Sequence, residues 1–375
     1  MLTLPAAVLG LLGAVLAVPA PAAPTAAPTT APTTVPTTVP TTGAVFSAPG
    51  QARVRGLLVD NLEATPPGAT VRGVVASFSS RPLAAALVAA SERGVEVEVL
   101  AGGGSCAEPS YRWLQRELAT GSEARCVRRG ARGPQVFDGI GTGLHQKSWT
   151  FSQTGGASWV SVVTSANATP ESDRRQYTDA YQVVGDRRLH DALTTVFAQQ
   201  ARDRPVRRPM RSFRFGAGDE VLFLPWNGPA QTDPVLRRIR SLPARGTVVR
   251  VANSAWWGPR GVRIAQALAG LEGRGAEVRV LASRPLSSDV RRVLRRGGVG
   301  VRSGWWGPHR YHHLKLMTAR YRRGGEVTTR VWTGSENWTS RSRGNDELVA
   351  RIGARSAHRA YAGFFDRLWR GTGAP

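Results

Sequence analysis

Leu144-His145-Gln146-Lys147-Ser148-Trp149-Thr150-Phe151 is the stretch on which this chain turns, because its core returns later as His312-His313-Leu314-Lys315-Leu316-Met317. The sequence has 50 Lys+Arg residues. Only Lys147 and Lys315 are lysines, and each stands two places after a histidine. Each is followed by a Ser-x-Asn, Ser165-Ala166-Asn167 and Ser335-Glu336-Asn337. A composition that elsewhere uses arginine has kept lysine in the same pattern twice. Both stretches are rich in strand formers, and residues i and i+2 of a strand point to one face. The histidine and lysine of each copy are therefore expected to project side by side. A second strand follows in each copy, Trp159 to Val163 and Thr328 to Trp332. It ends in a polar turn that can carry an amide and a hydroxyl to the His/Lys pair.

The repeat extends outward from these motifs. Gly68-Ala69-Thr70-Val71-Arg72 resembles Gly246-Thr247-Val248-Val249-Arg250, and each opens an apolar strand. Pro82 and Pro259 then mark helix starts, where a missing N–H costs nothing. Arg93 to Ala101 parallels Arg274 to Ala282, a helix ending at glycine followed by another strand. Each half thus contains a strand–helix–strand unit, which predicts a sheet with parallel strands covered by helices. The predicted fold class is α/β: two pseudo-symmetric α/β/α halves with mixed sheets that share one active site. The halves are expected at 45–200 and 221–375, joined by a basic linker at 201–220.

Residues 1–44 stand apart. Leu2 to Val18 is apolar and small residues follow, which resembles a secretory signal ending near residue 23. The run is interrupted by prolines and falls short of the ~20 residues of a membrane span. Residues 24–44 are built of Pro, Thr and Ala and predict an extended linker that reaches across a cell wall or carries glycans. The expectation is a secreted protein, with association to the cell wall as a variant of it. These segments carry no ionisable side chain, so the whole net charge of +24 belongs to the rest of the chain. Such a surface favours anionic partners. In an exported chain Cys106 and Cys126 most simply form one disulfide.

The combined site would hold two imidazoles, two ammonium groups, two Asn amides and two Ser hydroxyls. It lacks a metal cage, since two histidines are too few, and no cofactor is expected. It suits an anionic phosphodiester: lysines and amides hold the non-bridging oxygens, one imidazole attacks phosphorus, and the other protonates the leaving oxygen. The pattern resembles the phospholipase D superfamily, marked by a duplicated His-x-Lys-(four)-Asp followed by Gly-Ser-x-Asn. The resemblance covers roughly residues 45 to 370. It implies a metal-independent enzyme with a phosphohistidine intermediate. His145 would be the nucleophile and His313 the general acid. Lys147, Lys315, Asn167 and Asn337 would bind phosphate beside Ser165 and Ser335. Asp179 and Glu347 would be the paired downstream acids that orient the histidines. The sequence departs from the family where the motif Asp is replaced by Ser152 and Arg320, and where Thr164 replaces a glycine.

Three functions remain open at this level. The first is hydrolysis of phospholipid headgroup phosphodiesters at a membrane of anionic or zwitterionic lipid, by a monomer. The second is a nuclease acting on DNA or RNA. The third is a catalytically inactive basic module that binds a cell surface. Trp256-Trp257 and Trp305-Trp306 suggest a rim for lipid or bases, with loop packing as the plain alternative. His190, His309 and His358 are expected to be surface or capping residues. Ala357 to Trp369 shows helical apolar spacing and predicts a core helix.

Overall fold

The computed structural model describes residues 39–371. The expected signal segment and residues 24–38 of the linker lie outside them. The first half carries strands β1 (Gly43–Ser47), β2 (Thr70–Val75), β3 (Glu96–Gly102), β4 (Glu123–Val127), β5 (Ser148–Thr154), β6 (Ala157–Thr164) and β7 (Gln176–Val183). The second carries β8 (Arg211–Phe215), β9 (Asp219–Phe223), β10 (Val248–Asn253), β11 (Glu277–Ala282), β12 (Gly300–Ser303), β13 (Tyr311–His312), β14 (Lys315–Arg323), β15 (Glu326–Gly334) and β16 (Leu348–Ile352). The sheet orders are β1-β7-β6-β5-β2-β3-β4 and β8-β9-β16-β15-β14-β10-β11-β12. From β1 and β9 onward the two orders match strand for strand, so the duplication read from sequence is the duplication of the fold. In each sheet the strand–helix–strand portion is parallel, β2 with β3 and β10 with β11, and the motif strands join antiparallel.

Helices α1 (Arg53–Glu63), α2 (Arg81–Glu92) and α3 (Pro109–Glu117) cover the outer face of the first sheet, and the short α4 (Pro170–Arg175) links β6 to β7. Helices α6 (Pro234–Arg240), α7 (Gly258–Gly273) and α8 (Ser288–Arg296) cover that of the second. Both predicted prolines stand in the first turn of α2 and α7, and Ser80 caps α2 by accepting from Leu83 N. Helices α5 (Arg187–Gln200) and α9 (Arg355–Arg370) lie in the seam between the sheets. There Leu189 and Leu193 of α5 share a core with Val221 and Phe223 of the second half, and Phe364 of α9 stacks on Phe46 of β1 at 4.2 Å. A buried side chain of this size contributes about 1.5–3 kcal/mol, and the seam is lined with them. The disulfide Cys106–Cys126 is present, with Cα atoms 5.9 Å apart, and ties the short 3-10 turn Gly103–Ala107 before α3 to β4.

Several expectations need correction. The stretch 201–220 is not only a linker: β8 and the start of β9 form a hairpin that edges the second sheet. The first sheet begins at Gly43, inside the predicted linker, because β1 pairs with β7 from Gly43 onward. His190 and His358 are buried, each 6% exposed, and His190 packs edge-on to Trp159. Trp256 is buried against Trp338, its indole N–H bound by Gly261 O at 2.7 Å, so only Trp257 of that doublet can serve a rim. His309 is exposed, as expected, and the predicted C-terminal core helix is α9.

Candidate active site

Both motifs sit where a segment of one half crosses to the other. Leu144 bridges Asp346, and His145 N and Gln146 N both donate to Asp346 O at 2.9 and 2.8 Å. In the mirror position β13 pairs with β7, and His313 N donates to Tyr177 O at 2.9 Å. The histidines therefore precede β5 and β14 rather than lying within them, and Lys315 opens β14. Each lysine folds back on its histidine's backbone, Lys147 Nζ to His145 O at 2.6 Å and Lys315 Nζ to His313 O at 2.8 Å, and in the second copy the two side chains also meet, as expected of side-by-side projection. Trp149, two places beyond Lys147, lies over Gly73 of the neighbouring strand. A Cβ at Gly73 would come within 2.3 Å of that ring. This close approach anchors the strand beneath the first lysine.

The two half-sites differ in how they hold their imidazoles. His145 Nδ1 bonds Glu347 Oε2 at 2.8 Å, and the same carboxylate accepts from Ser335 Oγ at 2.6 Å and Asn345 Nδ2 at 3.2 Å. His313 Nδ1 instead faces Ser165 O at 2.9 Å, so its tautomer carries the proton on Nδ1 and presents the Nε2 lone pair. Lys315 Nζ stands 3.0 Å from that Nε2. Asp179, expected to play the part of Glu347, contacts neither histidine. Its Oδ2 accepts from Thr333 Oγ1 at 2.5 Å and from Tyr361 at 2.9 Å in the seam.

The cause is a shift of one residue. Ser335 exchanges two bonds with Leu348, Ser335 N to Leu348 O at 2.9 Å and Leu348 N to Ser335 Oγ at 3.0 Å. Ser165 exchanges the same two with Asp179, both at 3.0 Å. Asp179 is thus the counterpart of Leu348, and the counterpart of Glu347 is Thr178. Successive strand residues point to opposite faces, so one step sends the carboxylate to the other side of the sheet.

The departures from the family pattern have local explanations. Ser152 Oγ accepts from Thr70 N at 2.8 Å, so a polar group still secures the start of β2, whereas Arg320 is exposed. Gly334 has φ +148°, and a Cβ there would lie 2.2 Å from Leu348 O. Thr164 has no such constraint and gives its hydroxyl to Asp179 O at 2.6 Å. Asn337 Oδ1 accepts from Ser254 Oγ at 2.9 Å, which leaves Nδ2 as its donor, and Ser254 also receives Lys315 Nζ at 2.8 Å. Ser254 escaped the sequence reading because the first copy has Ala76 at the matching place.

Lys147, Lys315, Ser165, Ser335 and Glu347 are buried, while the two histidines and two asparagines are part-exposed. Electrostatics bind the copies into one site. Burial lowers the His145 pKa more than Glu347 raises it. His313 is pushed well below the usual range by burial, then by Lys315, Lys147 and His145 across the seam. Burial alone would raise the Glu347 carboxyl, but the His145 imidazole beside it and then Lys147 hold it low and ionised. Burial brings Lys147 down to about 8 against the pull of Glu347, and drives Lys315 well below its ordinary value. An ammonium must keep its proton to hold phosphate. The kcat/KM for a phosphodiester is therefore expected to fall as pH rises through about 8, since that ratio reports groups of the free enzyme. A pH–rate profile flat well beyond that point would remove Lys147 from the anion site.

Beneath the first motif lies a buried ion pair. Arg132 and Asp346 are fully buried and 2.8 Å apart. Arg132 also donates to Pro209 O and Leu224 O, and Gln200 Nε2 to Asp346. Beneath the second Ser-x-Asn, Arg260 pairs with Asp233 and Glu336. Among the described residues no cluster of three or more His, Cys, Asp or Glu side chains could hold a metal ion, and no helix is long and apolar enough to cross a membrane.

Two matched α/β halves, each sending a His-x-Lys across the seam to a mouth built from both, define a class of duplicated proteins with one composite site. The chain belongs to the phospholipase D-like family: a family model described as "Cardiolipin synthase, PLD-like domain" matches residues 63–201 and 233–369, once per half. Among solved structures, the fold is similar to phosphatidylserine synthase of Haemophilus influenzae (TM-score 0.63, 11% identity, 87% of this chain and 86% of that one). It is also similar to polyphosphate kinase of Porphyromonas gingivalis (TM-score 0.56, 12% identity, 88% of this chain); the chain spans 50% of that protein's length. A mutant of yeast tyrosyl-DNA phosphodiesterase is a third neighbour (TM-score 0.50, 10% identity, 84% of this chain and 90% of that one). No curated protein sequence matches.

Proposed function

We propose that the protein is a phosphodiesterase that releases headgroups from phospholipids through a phosphohistidine on His145. The observation that carries the reading is the inequivalence of the two imidazoles around one lysine-lined mouth. A carboxylate on Nδ1 leaves Nε2 of His145 as nucleophile and stabilises the positive charge the ring gains on phosphorylation. The His145 Nε2–P bond forms as the bond from phosphorus to the leaving oxygen breaks. The incoming anion raises the pKa of the nearby imidazole, so His313 takes up a proton and delivers it from Nε2 to the leaving oxygen. In the second step the neutral His313 accepts a proton from water, whose oxygen attacks phosphorus and frees His145. Lys147, Lys315 and the Asn167 and Asn337 amides hold the non-bridging oxygens, and this charge stabilisation needs no metal.

A lipid substrate is supported by the family model's cardiolipin synthase description and by the likeness to a phosphatidylserine synthase. The apolar run Leu2 to Val18 supports export, which would put the enzyme at a cell surface. The net charge of +24 also favours the second reading, a nuclease. Headgroup release from phosphatidylcholine and phosphatidylglycerol, measured beside plasmid nicking, both in EDTA, separates them. Lipid turnover without nicking is expected. Nicking alone would establish the nuclease, and binding of either substrate without turnover would establish an inactive basic module.

A further inference from the structure

The segment that delivers His145 first makes a small hairpin outside both sheets. Val136-Phe137 pairs antiparallel with Ile140-Gly141. Asp138 and Gly139, at φ +50° and +72°, form the tight turn that suits an Asp-Gly pair in a two-residue loop. Its apolar content is turned outward. Val136 is 59% exposed, the most exposed large apolar side chain among the described residues after Val39, and Phe137 and Ile140 are half-buried. The hairpin's base is fixed, since its Phe137 and Thr142 stand where a Cβ on Gly344 would collide, at 2.5 and 2.7 Å.

Arginines of the opposite half flank it. Exposed Arg341 donates from Nε to Gly141 O at 2.5 Å, while Arg343, 15% exposed, lies 4.9 Å from the Phe137 ring and pairs with Asp138 of the turn at 3.4 Å. Half-buried Trp257 is tied to the same edge, its strand paired at Thr339, two residues before Arg341. The chain ties these elements to the site: the hairpin leads into His145, and Arg341 and Arg343 fall between Asn337 and Glu347.

We propose that this lip, Val136, Phe137, Ile140 and Trp257 with Arg341, is the surface by which the protein seats its mouth on an anionic lipid bilayer. The inference rests on the phospholipid reading. An exposed aliphatic tip gains by leaving water, an indole settles at the level of headgroups, and the exposed Arg341 beside it meets anionic phosphates while its stem stays in the apolar layer, with Arg343 offsetting the charge of Asp138 in the turn. A nucleic acid offers the arginine the same phosphates and gives the valine tip nothing to bury into, so lipid is the favoured partner.

Cosedimentation of the full chain with mixed phosphatidylglycerol/phosphatidylcholine vesicles tests this. It is run beside hydrolysis of the soluble ester bis(4-nitrophenyl) phosphate. Val136→Glu is expected to weaken vesicle binding roughly tenfold or more, Val136→Trp to tighten it, and both to leave the soluble rate unchanged. Equal vesicle binding by all three proteins overturns the proposal. So does a wild type that binds a short DNA duplex but not the vesicles. Vesicle binding is read without turnover, so an enzyme that fails to cleave lipid would count against the functional reading and leave this readout intact.

Discussion

His145→Ala is expected to lower turnover on the order of 10⁴-fold or more, because of the two imidazoles at the site His145 alone is held by a carboxylate among the described residues. The variant should fold as the wild type does. The imidazole is 24% exposed, the backbone N–H that bonds Asp346 O is kept, and Glu347, which loses the imidazole, still accepts from Ser335 Oγ and Asn345 Nδ2. Rapid denaturation of wild type at alkaline pH during turnover, where the P–N bond of a phosphohistidine persists, should trap a phosphorylated peptide that maps to His145 and vanishes in the variant. Glu347→Gln keeps the shape and removes the charge, and should cost roughly 10²- to 10⁴-fold. Asp179→Asn tests the one-residue shift. An Asn oxygen can still accept from Thr333 and Tyr361, so kcat should change by no more than a few-fold. A larger loss at Asp179 than at Glu347 would overturn the assignment of Thr178 as Glu347's counterpart. A phosphopeptide mapping to His313 would reverse the two histidine roles.

Arg132→Met is expected to be strongly destabilising. It strands Asp346 as a buried charge whose backbone carbonyl anchors both His145 and Gln146. Removing one partner of a buried pair costs about 3–5 kcal/mol. The loss should appear as a lower midpoint in denaturant unfolding, with activity falling alongside it as the first motif loosens. Arg125 provides the contrast. It pairs with Glu123 at 2.6 Å, but both are about half exposed, and such surface pairs contribute about 1 kcal/mol or less. Arg125→Ala should therefore unfold close to the wild type. If the two variants lose equal stability, the ion pair is not what secures the site.

The two lysines made much of this fold legible. They fixed the motif, the motif located the repeat, and the repeat predicted two matched sheets and a shared mouth. What stayed hidden shares one physical origin: the copies have diverged at places a repeat-based reading treats as equal. Asp179 and Glu347 both precede apolar runs, so they align by eye. Only the hydrogen bonds of Ser165 and Ser335 reveal the offset of one. Ser254 matches an alanine, and Arg132 carries no motif and meets Asp346 only through the tertiary fold. Trp256 and Trp257 read as a pair, but the backbone sends one ring inward and leaves the other at the surface. A strand's alternation can be inferred from sequence, while its phase at an irregular end cannot.

The seam helices have a consequence for how the molecule can be divided. Leu189 and Leu193 of α5 bury against Val221 and Phe223 of the second half, and Phe364 of α9 rests on Phe46 of the first. Each lobe therefore lends its final helix to a joint that neither could line alone. Cut between the lobes, the chain would yield two fragments with greasy, unfinished flanks, poorly soluble apart. Mixed together, they would have every reason to find each other and rebuild the mouth. Because one chain carries both lobes, the two half-sites need not be equal, and they are not: one acid stands beside the opposite imidazole while the other lies one step away.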